Sequence, residues 1–272
     1  MSAISELYDR RAHLYERHWA PVLAPTAVRL LELAAPWLPP DGSSSAVLDV
    51  GAGTGTLTDA AARRWPAADV VGVDPSVGML AVARRAMSDL SRPPRLVTGA
   101  AESIPLPDAS VDLALSSFVL QLVPDRLSAL REIRRVLRPG GHVAYVTWLD
   151  TERPFAPDDA FDEAVLDLDI DEPDEPDPAR AGDVASPAAA RAQLRRAGFA
   201  AAGARIETLE YEWTPESYLD YKLSYDEEEL VQSLSRPQRR RLAALARGRL
   251  ASLTLADFAW RAAVAFVWGR RS

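Results

Sequence analysis

The chain contains no cysteine, which excludes disulfides and thiol chemistry. Its three histidines (His13, His18 and His142) stand at spacings that match no common metal motif, so no metal site is expected. Long apolar runs are missing too: the longest, from Ala262 to Trp268, falls far short of the roughly 20 residues that a bilayer requires. No apolar segment of the secretory type follows Met1, and the expectation is a cytoplasmic protein without a membrane span. Lysine is almost absent, with Lys222 the single one, a usage bias from which no function is read. Positive charge is in deficit: 39 acidic against 31 basic residues leave a net charge of −8, which speaks against broad capture of nucleic acid or anionic lipid.

What is present is a length of 272 residues with 48% hydrophobic content, enough for one sizeable core, and the chain is read as a single domain over 1–272. Helical spacing marks residues 1–38 before Pro39-Pro-Asp-Gly-Ser-Ser-Ser breaks the pattern. Over 46–148 short apolar runs then alternate with helical ones. Strands are expected at Ala46–Val50, Val70–Val73, Arg95–Thr98, Val111–Ser116 and His142–Trp148, with helices to about Arg64, from Val77 to Met87, and from Asp125 to Leu137. That alternation means an α/β doubly wound, mostly parallel sheet. After it comes an acidic loop over 150–183; within Asp150–Pro178 thirteen acidic residues accompany the lone base Arg153, and one helix is expected around Phe161–Leu168. A helix at Pro187–Ala197 and strands at Ala204–Trp213 and Phe258–Trp268 complete seven strands. The helical stretch 215–256 interrupts the last pair where a short turn would suffice, and it reads as an insertion acting as a lid. Within it, Tyr218, Tyr221 and Tyr225 share one helical face, and the arginines from Arg236 to Arg249 form a basic face that Asp226–Glu229 are expected to neutralise.

Val47-Leu-Asp-Val-Gly-Ala-Gly-Thr-Gly-Thr puts Gly51, Gly53 and Gly55 directly after the first core strand, where backbone N–H groups at a helix entry meet a ligand. The spacing is G-x-G-x-G, with Thr56 where the dinucleotide fingerprint G-x-G-x-x-G would need its last glycine. Asp49 beside this turn would repel a pyrophosphate and suits a ligand carrying an ammonium group. Asp74 ends the second strand nineteen residues after Gly55, where a carboxylate accepts hydrogen bonds from both hydroxyls of a ribose. Thr98-Gly-Ala-Ala-Glu brings Ala101 and Glu102 to the same strand ends.

With these motifs the chain resembles the class I S-adenosylmethionine-dependent methyltransferases, within them the branch of ubiquinone/menaquinone-biosynthesis and other small-molecule methyltransferases. The resemblance runs from Tyr8 to about Trp148. It is carried by Tyr8-Asp-Arg-Arg-Ala-His-Leu-Tyr, Leu48-Asp-Val-Gly-Ala-Gly-Thr-Gly, Val73-Asp-Pro-Ser-Val-Gly-Met-Leu, Ala101-Glu-Ser-Ile-Pro-Leu-Pro-Asp and Leu137-Arg-Pro-Gly-Gly-His. It implies the Rossmann-like methyltransferase fold, S-adenosylmethionine as cofactor and S-adenosylhomocysteine as product. It also implies that Gly51, Ala52 and Gly53 border the methionine moiety, Asp74 holds the ribose, Pro75 and Met79 flank the adenine, the Ala101–Glu102 turn meets its edge, and Tyr8 and Tyr15 cover the site, with Asp49 and Ser117 nearby. Two positions depart from the family: Ala100 stands where Asp is common, and Gln121 where many relatives have His.

Methyl transfer from a sulfonium needs alignment and exclusion of water more than acid–base machinery. Trp19, Phe118, Trp148, Tyr218 and Tyr221 are the candidates for an acceptor pocket, and His18 and Gln121 the candidates for a catalytic group. Oxygen, nitrogen and carbon acceptors are all compatible with these residues. A small-molecule acceptor is the leading reading. The alternatives are an RNA or protein methyltransferase, against which the acidic balance argues, and a non-catalytic S-adenosylmethionine-binding protein, which only the Ala100 and Gln121 departures favour.

Overall fold

The structure, a computed structural model, describes residues 3–168 and 180–272. Helices α1 (Ala3–His18) and α2 (Ala20–Ala34) precede β1 (Ala46–Val50), α3 (Thr56–Arg64), β2 (Asp69–Asp74), α4 (Val77–Ala86), β3 (Arg95–Thr98), β4 (Val111–Ser117), α5 (Arg126–Val136) and β5 (Leu137–Trp148). Then follow α6 (Ala156–Leu166), α7 (Pro187–Arg196), β6 (Phe199–Glu212), α8 (Pro215–Tyr221), α9 (Glu228–Ser233), α10 (Arg236–Leu250) and β7 (Ala259–Arg271). The strands make one seven-stranded sheet of order β3-β2-β1-β4-β5-β7-β6. β1 to β5 pair in parallel, and β7 runs antiparallel to β5.

The central strands are apolar on both faces because helices cover both. Val47, Leu48 and Val50 of β1 and Leu113, Ala114 and Leu115 of β4 are fully buried. Each buried aliphatic side chain of this kind contributes about 1.5–3 kcal/mol. From β1 the chain winds outward through β2 and β3, and the next strand, β4, returns to the other side of β1. That reversal makes the carboxyl ends of β1 and β4 a switch point, where open α/β sheets leave a crevice.

The seven expected strands are present, with longer ends. β5 starts at Leu137 rather than His142, because Leu137 pairs with Val111 before an irregularity shifts the register. β6 starts at Phe199, five residues ahead of Ala204. The acidic stretch is less loop-like than its composition suggests: α6 buries Ala160, Phe161, Ala164 and Val165. Its part over 169–179 lies outside the described residues.

The described residues fall into two units, those within Met1–Thr151, Pro178–Leu209 and Ala263–Ser272, and those within Glu152–Asp177 and Glu210–Ala262. The first holds the body of the sheet. The second is built on α6 against α10, with its own aromatic cluster in which Tyr218 meets Phe155, Trp213 and Phe258 edge-on. Tyr218, Tyr221 and Tyr225 do share a face, with ring centroids 6.3 and 6.0 Å apart. Of Asp226–Glu229, expected to neutralise the arginines of α10, the first two are engaged elsewhere. A π-helical turn, Lys222–Asp226, swings Asp226 and Glu227 back onto the buried Lys222 ammonium (2.5 and 3.1 Å), while Arg249 of α10 binds Glu163 and Asp167.

Lys222 has a side chain 5% exposed, and its ammonium also sits 4.9 Å over the ring of Phe161. Replacing it with Met should destabilise the protein by about 1–3 kcal/mol, less than a fully buried pair because the partner carboxylates are a third or more exposed. Lys222→Arg should lose less. Urea titrations followed by near-ultraviolet ellipticity measure both.

Candidate functional site

The glycine turn after β1 is shaped by left-handed backbone. Gly51 and Gly53 have φ of 76° and 54°, which side-chain-bearing residues rarely adopt. A Cβ on Gly51 would lie 2.2 Å from Val119 Cγ2, whereas one on Gly53 would meet nothing closer than Gly51 O at 4.0 Å. Gly51 is therefore fixed by packing, and Gly53 opens onto free space. The N–H groups of Gly51 and Ala52 both donate to Val73 O, tying the turn to the end of β2.

Asp74 stands on that end. Its Oδ2 accepts from Gly53 N and its Oδ1 from Ser76 N, both at 2.9 Å, and each oxygen keeps a lone pair for a ligand. It does not cap α4; Ser76 does, accepting from Met79 N. Burial pushes the Asp74 carboxyl up, against the two backbone bonds that lower it.

These residues border a cavity of about 430 Å³, within the range of small-ligand pockets. Of the expected cofactor residues, Tyr8, Tyr15, Gly51, Gly53, Asp74, Pro75, Met79, Ala101, Glu102 and Ser117 line it, and so do Trp19, Phe118, Trp148 and Gln121. Tyr8 and Tyr15 stand edge-to-face at 5.7 Å and pack with Ala12, Met79 and Val82. Burial raises both phenols, so they stay protonated at neutral pH. Phe118 takes φ of 54°, uncommon for an aromatic residue, and its ring lies 4.2 Å from that of Trp148.

Several expectations are corrected. Asp49 is not a lining residue: it is 1% exposed beneath the turn, where Thr58 Oγ1 donates to its Oδ2 at 2.6 Å. Its Oδ1 has no partner among the described residues. Ala52 borders a smaller neighbouring cleft with Thr54, Thr56 and Leu57, since the turn points it toward α3. His18, at the last residue of α1, is buried outside the cavity lining. His142 stacks on Trp37 at 4.6 Å. The acceptor expectation for Tyr218 and Tyr221 is not overturned: both belong to the second unit, where their hydroxyls bond Asp158 and Asp226.

Sequence reasoning missed three features. Asp9 accepts from Ser76 Oγ (2.8 Å) and Gly78 N (2.7 Å), pinning α1 to the start of α4. Arg180 and Asp183 line the cavity on a strap whose backbone bonds to the loop after β4: Ala181 N donates to Val123 O and Gly182 N to Gln121 O. The buried guanidinium of Arg126 clamps that junction, donating to Leu120 O, Gly182 O and Gln193 Oε1. Only the Asp9 contact left a sequence trace, in the motif starting at Tyr8; the others join segments tens of residues apart.

Residues 48–145 match a family described as methyltransferase domain. The chain is 38% identical over 138 residues to a malonyl-[acyl-carrier protein] O-methyltransferase of Xylella fastidiosa, covering 51% of this chain and 45% of that one. It is 40% identical over 111 residues to a demethylmenaquinone methyltransferase of Staphylococcus aureus, covering 40% and 44%. These matches thus span somewhat under half the length of the curated relatives. Among solved structures, phosphoethanolamine N-methyltransferase 2 of Haemonchus contortus, in complex with phosphomonomethylethanolamine and S-adenosylhomocysteine, has the same fold. Its TM-score is 0.54 at 18% identity, over 91% of this chain and 53% of that one.

Burial, with a smaller contribution from Asp74, pushes the Asp49 carboxyl up to about 7. An unfolded aspartate titrates near 4, so between these limits the native state holds a proton the unfolded chain has lost. Stability therefore falls as pH rises from about 4 to about 7 and is level above. Asp49→Asn keeps an acceptor for Thr58 and removes the buried charge. It should be more stable than the parent at pH 8 by up to roughly 4 kcal/mol, with the gain vanishing toward pH 4. Denaturant titrations of both proteins across this range measure the slope.

Proposed function

From a chain whose residues 48–145 match the methyltransferase-domain family, we infer a class I S-adenosylmethionine-dependent methyltransferase that acts on a small-molecule acceptor and releases S-adenosylhomocysteine. The observation that carries this reading is Asp74 at the end of β2, bonded to Gly53 N and facing the same cavity as the glycine turn. The residues present fit the cofactor. Asp74 would hold the ribose, Pro75 and Met79 the adenine faces, Ala101 and Glu102 its edge, and the open side of Gly53 the methionine moiety. The unpartnered Oδ1 of Asp49 beneath the turn adds negative potential that favours an ammonium or sulfonium over a pyrophosphate.

When bound, S-adenosylmethionine supplies a methyl group on positively charged sulfur, electrophilic without further activation. The work left to the chain is to align the acceptor and keep water out. Trp19, Phe118 and Trp148 give the cavity aromatic walls, and Tyr8 and Tyr15, held by the Asp9 anchor of α1, cover its nucleoside side. A cytoplasmic location belongs to the same reading; no described helix is long and apolar enough to cross a membrane.

Calorimetry tests the reading directly. S-adenosylhomocysteine should bind at micromolar concentration and NAD should not. Asp74→Ala should weaken binding by about 1.5–3 kcal/mol, the worth of hydrogen bonds to a charged group. Binding of NAD, or an unchanged affinity in the variant, would overturn it.

We assign capture of the acceptor to residues 215–256, on the ground that they stand between two strands a short turn could join. Exchanging them together with residues 152–177, which share their unit, for Gly/Ser turns should spare S-adenosylhomocysteine affinity and abolish methylation. Retained methylation of the native acceptor would make the segment an ornament.

A further inference from the structure

Gln121 is 4% exposed and lines the cavity, yet only half of its amide is used. Thr147 Oγ1, itself buried on β5, donates to Gln121 Oε1 at 3.0 Å, which fixes the orientation of the amide. Nε2 makes no hydrogen bond among the described residues. Unlike the sealed and unpartnered Tyr145 hydroxyl, it retains access to open space, and the space that Gln121 borders is the cavity. An N–H pair that no protein group engages and that borders a ligand cavity is available to an acceptor oxygen or nitrogen. The backbone of the same residue receives Gly182 N, so the strap that brings Arg180 into the lining is anchored on Gln121 itself.

The ionisable groups that line the cavity are Tyr8 and Tyr15 from α1, Asp74 from β2, Glu102 after β3, and Arg180 and Asp183 from the strap; no imidazole is among them. The phenols are raised by burial, and Asp74 is engaged with Gly53 and Ser76. Where a histidine could have drawn a proton from an alcohol or phenol, this chain presents the donor face of an amide. A donor pair suits a nucleophile that arrives already deprotonated, and the neighbouring strap carries a guanidinium, Arg180, together with a carboxylate, Asp183.

We propose that Gln121 Nε2, oriented by Thr147, holds one oxygen of a carboxylate on the acceptor, so that the protein esterifies a small carboxylic acid. This rests on the methyltransferase reading above and narrows it to one acceptor class. The free carboxylate oxygen forms the new O–CH3 bond with a lone pair as the S–CH3 bond breaks and its electron pair stays on sulfur. A carboxylate and a sulfonium become a neutral ester and a neutral thioether, and no proton moves. Charge is lost on the way to the transition state, which the aromatic enclosure of Trp19, Phe118 and Trp148 favours.

The full chain, saturated with S-adenosylhomocysteine, is titrated with phenylacetate, phenylacetamide and 2-phenylethanol by ligand-observed NMR. Phenylacetate should bind at least tenfold more tightly than the other two. Gln121→Leu should erase that preference, and Gln121→Glu should reverse it by setting like charges together. Thr147→Val, which only frees the amide to rotate, should reduce the preference several-fold while phenylethanol binding stays as it was, a selectivity that a folding defect would not produce. Equal binding of the three probes, tighter binding of the alcohol, no binding by any of them, or an undiminished preference in Gln121→Leu would overturn the proposal. Failure of S-adenosylhomocysteine itself to bind would instead overturn the methyltransferase reading.

Discussion

Val73 O receives the N–H groups of both Gly51 (2.7 Å) and Ala52 (3.0 Å), and the geometry of the cavity depends on that junction. One carbonyl joins the turn after β1 to the end of β2, so the next residue along, Asp74, is delivered within reach of Gly53 N. On the other side, the Gly51 backbone lies flush against Val119, the second residue after β4. Three strand ends are thereby locked by contacts that tolerate no side chain at Gly51. A substitution there would push the turn away from β4 and carry Gly53 and Asp74 out of register together.

The same junction concentrates negative charge where water is scarce. Asp49 and Asp74 both titrate above the usual carboxylate range, each chiefly because burial disfavours its charge and each raised or accompanied by a neighbouring carboxylate. Such a pair destabilises the empty protein and favours a cationic ligand, whose binding would relieve the cost. The strap adds one charge of each sign to the lining, Arg180 and Asp183, and Gln121 adds an amide whose oxygen is already taken by Thr147.

Much of this was legible in the sequence. The strands β1, β2 and β4 were readable because buried parallel strands leave short apolar runs bounded by glycine, proline and aspartate, and the glycine turn because its spacing is local. Asp74 followed from its place at a strand end. What stayed hidden depends on contacts distant in sequence. Arg126 gives no sign that it will bond Gly182, nor Gln121 that Thr147 will turn its amide. Asp49 misled because strand alternation and the tilt of the turn together decide whether a residue two before Gly51 faces the ligand or the core. The pairing of Asp226 and Glu227 failed for a different reason: a π-helical turn adds a residue to the local repeat, which moves both carboxylates off the expected face and onto Lys222.

The stretch that matches the methyltransferase domain, 48–145, falls wholly within the first unit, whereas the second is assembled from residues beyond it. That second unit has the means to hold itself together. Tyr218, Phe161 and Phe258 are fully buried, Leu242 and Ala246 of α10 are buried with them, and the buried ammonium of the only lysine of the chain is met by two part-exposed carboxylates. A body with its own core can change sequence without disturbing the junction at Val73, because no hydrogen bond of that junction involves it. The glycine turn and Asp74 are accordingly constrained by backbone geometry. The second unit, separately stabilised and outside the matched stretch, is free to change in sequence while the first keeps its turn geometry.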